Sequence, residues 1–339
     1  MKDKAILLIS LCMMNIWQNI KDWWVDFQPL MSLRDRLSGD KKLLKSIGIG
    51  IVLVIGLYYP IGMLIVHKVD DNLGYTSILN PGESEAVANA AGLMRREIEE
   101  YRWTAMDPFF MPGSALDNMP NFQKGMVSAI SRFAIEMSDQ IGRVRGSSQV
   151  DEDLDKAAGL FKYKPDVWVY DISESWLPQR SSAQQYMLAV KSFENYNRRL
   201  AAGEAIFERR GDNLLATIDR ITADLGSASA VIDSTIQDLS AFSFDTDDVF
   251  YRTKGRLYAY YFILKGLKTD YANVIEERKL TKAWDQMLLS LQEAASMDPL
   301  LVTNAAPDSF IMPSHLAGQG FYLLRARTQL REISNVLLK

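Results

Sequence analysis

The side chains in this sequence that could carry out catalysis are mainly carboxylates. Asp107, Asp117 and Glu136 lie near a segment with three prolines, where the chain must turn. Two carboxylates at a suitable separation can act as general acid and nucleophile in glycoside chemistry, and they need only meet in space. A hydrolase or transferase that acts on envelope material is therefore one hypothesis, with these residues as its first candidates.

Paired arginines suggest a different chemistry. Arg95 and Arg96 are neighbours, as are Arg198 and Arg199, and both pairs lie in segments with a helical pattern. Arginine forms strong, often bidentate hydrogen bonds with phosphate and carboxylate groups, so these pairs could bind an anion or a lipid headgroup. The alternative, which we favour, is that they form ion pairs on the helix surface.

Other reactive or metal-binding residues are scarce. The chain has one cysteine, Cys12, and two histidines, His67 and His315, and it contains no HExxH, CxxC or phosphate-binding glycine motif. The sequence therefore predicts no metal and no cofactor. Acidic clusters at Asp151 and Asp245 open predicted helices, where carboxylates complement the helix dipole.

A long apolar segment lies before all of these candidates except Cys12. From Ile47 to Val66 the chain has 20 residues without a charge, about 30 Å as a helix, which matches the hydrocarbon thickness of a bilayer. Its glycines and Pro60 would make a poor core helix, whereas lipid tolerates such a proline as a local kink. We predict a single transmembrane helix that contacts the lipid bilayer here.

Basic residues indicate the orientation of this helix. Five lysines and arginines lie between Arg34 and Lys45, whereas only Lys68 follows the apolar run before Arg95. The positive-inside rule then places the N-terminus in the cytoplasm and the bulk of the chain outside it, which in a bacterium is the periplasm. Because no small-residue cleavage site follows, we expect an uncleaved anchor in the inner membrane.

The segment from Ala5 to Ile20 is apolar but interrupted by polar residues, and three tryptophans lie in or just after it. It best fits a helix in the membrane interface. A short second span, translation from Met31 and, least well, a lipoprotein signal at Cys12 are the alternatives.

The remaining chain predicts a mostly α protein, a large multi-helix bundle held by packing alone. We divide the sequence into a basic cytoplasmic segment (1–45), a transmembrane helix (46–67), a connector (68–82) and a periplasmic helical domain (83–339). The net negative charge of the bulk argues against nucleic acid as a partner. The aromatic run from Tyr258 to Phe262 is interpreted as core.

Prolines and glycines set the predicted helix limits. Residues 104–121 are predicted to be loop because of their three prolines, and a helix is predicted from Phe122 to Arg145. Gly203 and Gly226 are expected to end helices, and one helix is expected over 271–297. Only 167–172 has strand-like alternation, and we expect a loop or short hairpin there.

Two segments of the chain echo each other. Met106-Asp107-Pro108-Phe109-Phe110 resembles Met297-Asp298-Pro299-Leu300-Leu301, and each segment is followed by a proline loop and then a helix that opens near a Gln and a Gly. The offset is about 191 residues. If this repeat is real rather than chance, it implies two pseudo-symmetric helical halves.

Several strings resemble a known family. Its members, grouped as domain of unknown function 2333, are proteobacterial single-pass envelope proteins, and the resemblance covers about residues 45–339. The resemblance implies membership but no chemistry, because the family has no assigned catalytic residues. The strings are Asp117-Asn118-Met119, Asn121-Phe122-Gln123-x-Gly125, Arg143-x-Arg145-Gly146-Ser147-Ser148, Asp151-x-Asp153-Leu154, Tyr196-Asn197-x-Arg199-Leu200 and Tyr322-Leu323-Leu324-Arg325-Ala326.

The leading functional hypothesis is a non-catalytic envelope protein that binds a partner protein or its own copies. It is favoured because no acid–base or metal constellation is visible in the sequence. The carboxylate-pair enzyme is the second hypothesis, and a lipid- or anion-binding module that uses the arginine pairs is the third.

Overall fold

A computed structural model describes residues 41–141, 150–170, 176–237, 244–305 and 312–339. Within these ranges the chain forms ten α-helices and no strand, so the predicted mostly α class is confirmed. The chain divides into two units, Met1–Ile61 and Gly62–Lys339. The helices are α1 (Lys41–Val66), α2 (Glu85–Glu99), α3 (Asn118–Glu136), α4 (Glu152–Phe161), α5 (Ser182–Ala201), α6 (Gly211–Gln237), α7 (Phe244–Asp270), α8 (Ala272–Glu277), α9 (Thr281–Ala295) and α10 (His315–Leu337).

Helix α1 contains the predicted membrane span. From Lys45 to Val66 it is long and apolar enough to cross a membrane, and none of its most apolar window is buried. Pro60 lies inside the helix, as the sequence suggested. The described residues contain one helix of this kind. The prediction for the segment from Ala5 to Ile20 lies outside the described residues.

Helix α7 is the centre of the second unit, and α2, α3, α6, α9 and α10 all pack against it. Its aromatic side chains Phe250, Tyr258, Tyr260 and Phe262 are almost completely buried. A helix that is enclosed in this way is buried on all sides and needs apolar residues around its whole circumference. The interpretation of the aromatic run as core is confirmed.

Helices α3 and α7 make an unusually close contact. A Cβ atom on Gly125 would overlap the carbonyl oxygen of Arg252, and one on Gly255 would overlap the carbonyl oxygen of Phe122. Two helix backbones can approach this closely only where side chains are absent. The contact pairs the first halves of both helices, so their N-terminal ends lie side by side.

The sequence placed the start of α3 four residues too late. Asp117 caps the helix and Asn118 is its first residue, so 118–121 is helical rather than loop. Pro120 is tolerated because the amide groups of a first helical turn have no partner within the helix. After Glu136 the chain continues as a π-helical turn, Met137–Ile141; the predicted end at Arg145 lies outside the described residues.

Two other predicted limits were wrong. Helix α6 runs through Gly226 to Gln237, and this glycine leaves room for the Arg327 guanidinium, which a Cβ atom would meet at 2.8 Å. The predicted helix over 271–297 is two helices, because the chain turns at Lys279 with a positive φ of 55°. Residues 167–170 form no strand, although their backbone pairs loosely with Gln179 and Ser182.

A set of buried hydrogen bonds joins the start of α2 to the ends of α5 and α7. The Ser84 hydroxyl donates to Asp270 at 2.7 Å, and the Ser84 amide donates to Asn197 at 2.8 Å. Asn197 in turn donates to the Ser84 carbonyl oxygen at 3.0 Å. Because these groups are buried and satisfied, they fix α2 against α5 and thereby set the width of the groove described below.

Candidate functional site

Asp107 lies in the first proline loop, directly after a short 3-10 turn. One carboxylate oxygen accepts a hydrogen bond from Arg102 at 2.9 Å. The other oxygen is buried, accepts no hydrogen bond from a described residue, and fills the space left by Gly113. Burial raises the pKa of Asp107 above its ordinary value, although Arg102 opposes this shift. The contacts fit a carboxylate that shapes the loop.

Asp117 belongs to a cluster of acids where α3 and α7 begin. The amide group of Asn118, oriented to donate, lies 3.1 Å from Asp117 Oδ1 and 2.6 Å from Asp247 Oδ2. Asn121 donates to Asp248 at 2.6 Å. Burial, followed by the negative charges of Asp117 and Asp248, raises the pKa of Asp247 to about 6. Amide donors thus lie between the carboxylates, while burial raises the pKa of Asp248 and the charges of Arg252 and Lys124 oppose this shift.

Glu136 lies at the far end of α3. Its side chain is buried and accepts a hydrogen bond from Arg220 of α6 at 2.8 Å. Burial raises its pKa above the ordinary value, and Arg220 opposes this shift. A helix rises 1.5 Å per residue, so Glu136 lies about 28 Å from the Asp117 end of α3. Asp117 and Glu136 therefore cannot form one acid–base pair.

Arg96 is the centre of a buried polar network. Its guanidinium lies over the rings of Tyr75, Tyr101 and Tyr258, at 5.1, 5.5 and 5.4 Å from their centroids. It also forms ion pairs with Asp70 and Glu97, both at 3.2 Å. The guanidinium is therefore held mainly by aromatic faces and carboxylates of its own protein, although its Nε has no hydrogen-bond partner among the described residues.

The network extends from Arg96 to the loop before α3. Glu97 accepts a hydrogen bond from Gln123 at 3.1 Å, and Gln123 accepts from the Thr104 amide at 2.9 Å. Burial raises the pKa of Glu97 to about 7, even though Arg96 lowers it. No linear motif could reveal this network, because its members come from four separate segments.

The other three candidate arginines face different partners. Arg95 forms ion pairs with Glu194 at 2.7 Å and Glu99 at 3.0 Å. Arg199 forms ion pairs with Asp151 and Asp153 of the α4 start. Arg198 donates a hydrogen bond to Asn195 at 2.9 Å, and it forms no ion pair within the described ranges. Arg95, Arg96 and Arg198 line one groove between α2 and α5, whereas Arg199 faces the start of α4.

A groove lies between the connector, α2 and α5. It encloses about 600 Å³. Its walls include apolar side chains, among them Val87, Ala91 and Phe193. Charged side chains of both signs also line it: Glu83, Arg95, Arg96, Glu100, Glu194 and Arg198.

The connector forms one edge of this groove. Tyr75 reaches across to α2, where a Cβ atom on Gly92 would overlap its hydroxyl group. Ser77 donates to Asn89 at 2.7 Å, while Ile78 is 90% exposed beside the groove. The described chain between Thr76 and Leu79 has no regular secondary structure and makes no backbone hydrogen bond.

His315 has a local structural role. Its Nδ1 atom lies 3.1 Å from the Thr303 amide, which donates to it. Burial lowers the pKa of His315. Among the described residues no group of three or more His, Cys, Asp or Glu side chains could hold a metal ion.

Comparison with known proteins places the chain in a family. No curated protein and no solved structure matches it. A family model described as "Uncharacterized protein conserved in bacteria (DUF2333)" matches residues 105–244 and 241–337. These matches cover well over half of the chain, and they agree with the resemblance seen in the sequence. The chain therefore belongs to this bacterial family, domain of unknown function 2333.

Proposed function

We propose that the protein is a membrane-anchored, non-enzymatic binding protein of the bacterial envelope. Its N-terminal side lies in the cytoplasm, and its helical domain binds a partner protein in the periplasm. The apolar, unburied helix from Lys45 to Val66 supports the anchor. The Lys/Arg bias around that helix supports the orientation.

One observation carries the binding function. The groove beside the connector has apolar walls, and Arg95 along it is already paired with Glu194 and Glu99. Such a surface suits an apolar side chain of a bound polypeptide. The segment from Thr76 to Leu79 lies alongside and makes no backbone hydrogen bond with other described residues, so a partner strand can pair with its peptide groups.

Crosslinking in intact cells tests the groove. A photoreactive phenylalanine replaces Ile78 at the groove edge, and a second chain carries it at Ile206, an exposed apolar position outside the groove. We expect a discrete adduct from position 78, its loss when Ala88→Trp fills the groove, and none from position 206. An adduct of twice the chain mass would identify a second copy as the partner. The same products from both positions would refute the proposal.

The orientation is tested separately. Alkaline phosphatase is active only in the periplasm, so a fusion after Lys339 should be active and a fusion after Lys45 inactive. The reverse pattern would place the helical domain in the cytoplasm and would contradict the proposed localisation.

A second candidate function is an envelope hydrolase or transferase. The supporting observation is that the Asp117 and Asp247 carboxylates lie less than about 6 Å apart around Asn118, close to the separation found in retaining glycosidases. The pKa of Asp247 is raised to about 6, so this carboxyl group can hold a proton as a general acid must. Release of soluble fragments from peptidoglycan by the full chain, lost in Asp247→Asn, would favour this candidate; no release would remove it.

A further inference from the structure

We propose that the two echoing Asp-Pro segments are membrane-contacting loops, whose apolar tips lie in the lipid interface beside the end of α1. Loop 1 is residues 106–112 and loop 2 is residues 297–301. This inference rests on the proposed anchoring of α1 and adds a second contact between the protein and lipid. It also gives the repeat a physical meaning that does not require two symmetric halves.

Loop 1 contacts the last part of the candidate span. Pro112 packs against Gly62 so closely that a Cβ atom on the glycine would overlap the proline ring. Gly62 lies four residues before the end of the span at Val66, about 6 Å along a helix. A loop that rests at this position lies at the depth where the hydrocarbon meets the headgroups, rather than in bulk water.

The tip of loop 1 is apolar and exposed. Phe109 is 83% exposed and Phe110 is 44% exposed. Phe110 also contacts Trp168, whose ring contacts Tyr170, with centroid distances of 5.3 and 5.6 Å. Aromatic side chains of this kind concentrate at membrane interfaces, because their rings are apolar and the polar groups of Trp and Tyr remain hydrated.

Residues 176–179 extend this aromatic surface. The Gln179 amide donates to the Val169 carbonyl oxygen at 2.8 Å, which brings residues 176–179 beside 168–170. Trp176 is 86% exposed and Leu177 is 74% exposed. Exposed apolar side chains that lie together on a protein surface mark an interaction site. Trp168 joins these side chains to Phe110 of the loop that contacts Gly62, and the bilayer is therefore the proposed occupant.

Loop 2 lies near the chain that leaves the span. The buried ammonium group of Lys254 forms ion pairs with Asp71 at 2.7 Å and with Asp298 at 3.6 Å. Asp71 is only five residues beyond Val66. Two residues after Asp298, Leu300 is fully exposed, and Leu301 beside it is 59% exposed. Both Asp-Pro segments therefore carry two large exposed apolar side chains, loop 1 in contact with the end of α1 and loop 2 linked through Lys254 to the chain that follows it.

Lipid quenching of a fluorescent probe tests the proposal on the full chain. Cys12→Ser removes the native thiol, and single cysteines at four sites carry a nitrobenzoxadiazole label: Phe109→Cys, Leu300→Cys, Val54→Cys and Ile206→Cys. Val54 reports on the span itself. Ile206 is the matched control, because it is apolar and exposed but lies by Tyr196 and Arg209 at the C-terminal end of α7. Each labelled protein is reconstituted into phosphatidylethanolamine–phosphatidylglycerol vesicles containing lipid with a nitroxide either near the carbonyl group, for positions 109 and 300, or in the middle of the acyl chain, for position 54, with position 206 measured in both.

We expect quenching at positions 54, 109 and 300, roughly twofold or more above that at position 206, with position 109 quenched more than position 300. Quenching at 54 together with control-level quenching at 109 and 300 would overturn the loop proposal and leave the anchor intact. Absence of quenching at 54 would overturn the anchor and, with it, the loops. A blue-shifted label at 109 without lipid quenching would mean that protein covers the patch, which also refutes the proposal.

Discussion

Two groups of acidic side chains in this protein have opposite surroundings. In the network around Arg96, one guanidinium forms ion pairs with the carboxylates of Asp70 and Glu97 and lies over three tyrosine rings. Where α3 and α7 begin, Asp117, Asp247 and Asp248 face one another, and amides of Asn118 and Asn121 lie between them. The first group has a cation in direct contact with both carboxylates, whereas in the second the carboxylates repel one another.

The two groups differ in what their carboxylates do for the folded protein. Removal of one member of a buried ion pair is destabilising because it leaves the other charge unpaired. Carboxylates that repel one another instead raise the cost of ionisation and keep a proton at higher pH. In the acid cluster, Asp247 accordingly has a pKa of about 6, raised by burial and by the neighbouring carboxylates.

The largest effect is expected from removing the central cation. Arg96→Met leaves Glu97 buried without its ion-pair partner, so the free energy of unfolding should fall by about 3–5 kcal/mol. The matched control is Arg95→Met, one residue away on the half-exposed side of α2, for which we expect a loss of at most about 1 kcal/mol. Urea unfolding of both variants in detergent measures the difference. Equal losses would show that burial does not distinguish the two arginines.

A smaller effect, with the opposite sign, is expected in the acid cluster. The pKa of Asp247 is raised from 3.8 to about 6, so between these values the folded chain binds more protons than the unfolded chain. Stability therefore falls as pH rises through this window and stays reduced above pH 6. Because Asp247 is only half-buried, we discount the full shift and expect Asp247→Asn to gain about 1 kcal/mol at pH 7.5.

The pH dependence sharpens this prediction. The gain should largely disappear near pH 3.5, where the carboxyl group is mostly protonated in both states. Thermal unfolding of wild type and variant at pH 3.5, 5 and 7.5 measures it. A variant that is equally or less stable than wild type at pH 7.5 would contradict the repulsion inferred for the cluster.

The smallest effect is expected at a partly exposed set of ion pairs on the surface. Arg199 bridges Asp151 and Asp153 at 2.8 and 2.7 Å on the surface between α4 and α5. Exposed ion pairs contribute little, so Arg199→Ala should cost about 0.5–1 kcal/mol, and the cost should decrease in 0.5 M salt. Chemical unfolding at low and high salt measures both values. A salt-independent loss as large as that of Arg96→Met would show that exposure does not weaken these ion pairs.

Local signals in the sequence were sufficient for most helix starts. Ser84, Asp151 and Ser181 each precede a helix and accept hydrogen bonds from its first amides. Such caps are short-range, so the sequence reveals them. The wrong limits occurred where a contact from elsewhere in the chain gave a glycine another role, as at Gly226 against Arg327, or where a proline fell in a first turn, as at Pro120.

The candidate site was predictable only in its residue types. Asp117 was selected from the sequence, but its partners Asp247 and Asp248 were assigned to the helix dipole. They meet Asp117 because Gly125 and Gly255 let α3 and α7 pack in contact, and no local pattern encodes that pairing. The two pseudo-symmetric halves inferred from the echo remain a prediction.

The sequence by itself determined the apolar run of α1, the helical class and the bacterial family, because composition, periodicity and local motifs are properties of neighbouring residues. Only the tertiary structure decided which of two adjacent arginines, Arg95 or Arg96, is enclosed. It also decided which carboxylates are paired and which loops lie beside Gly62. These outcomes depend on contacts between residues far apart in the chain, where burial and distance control the strength of every charge.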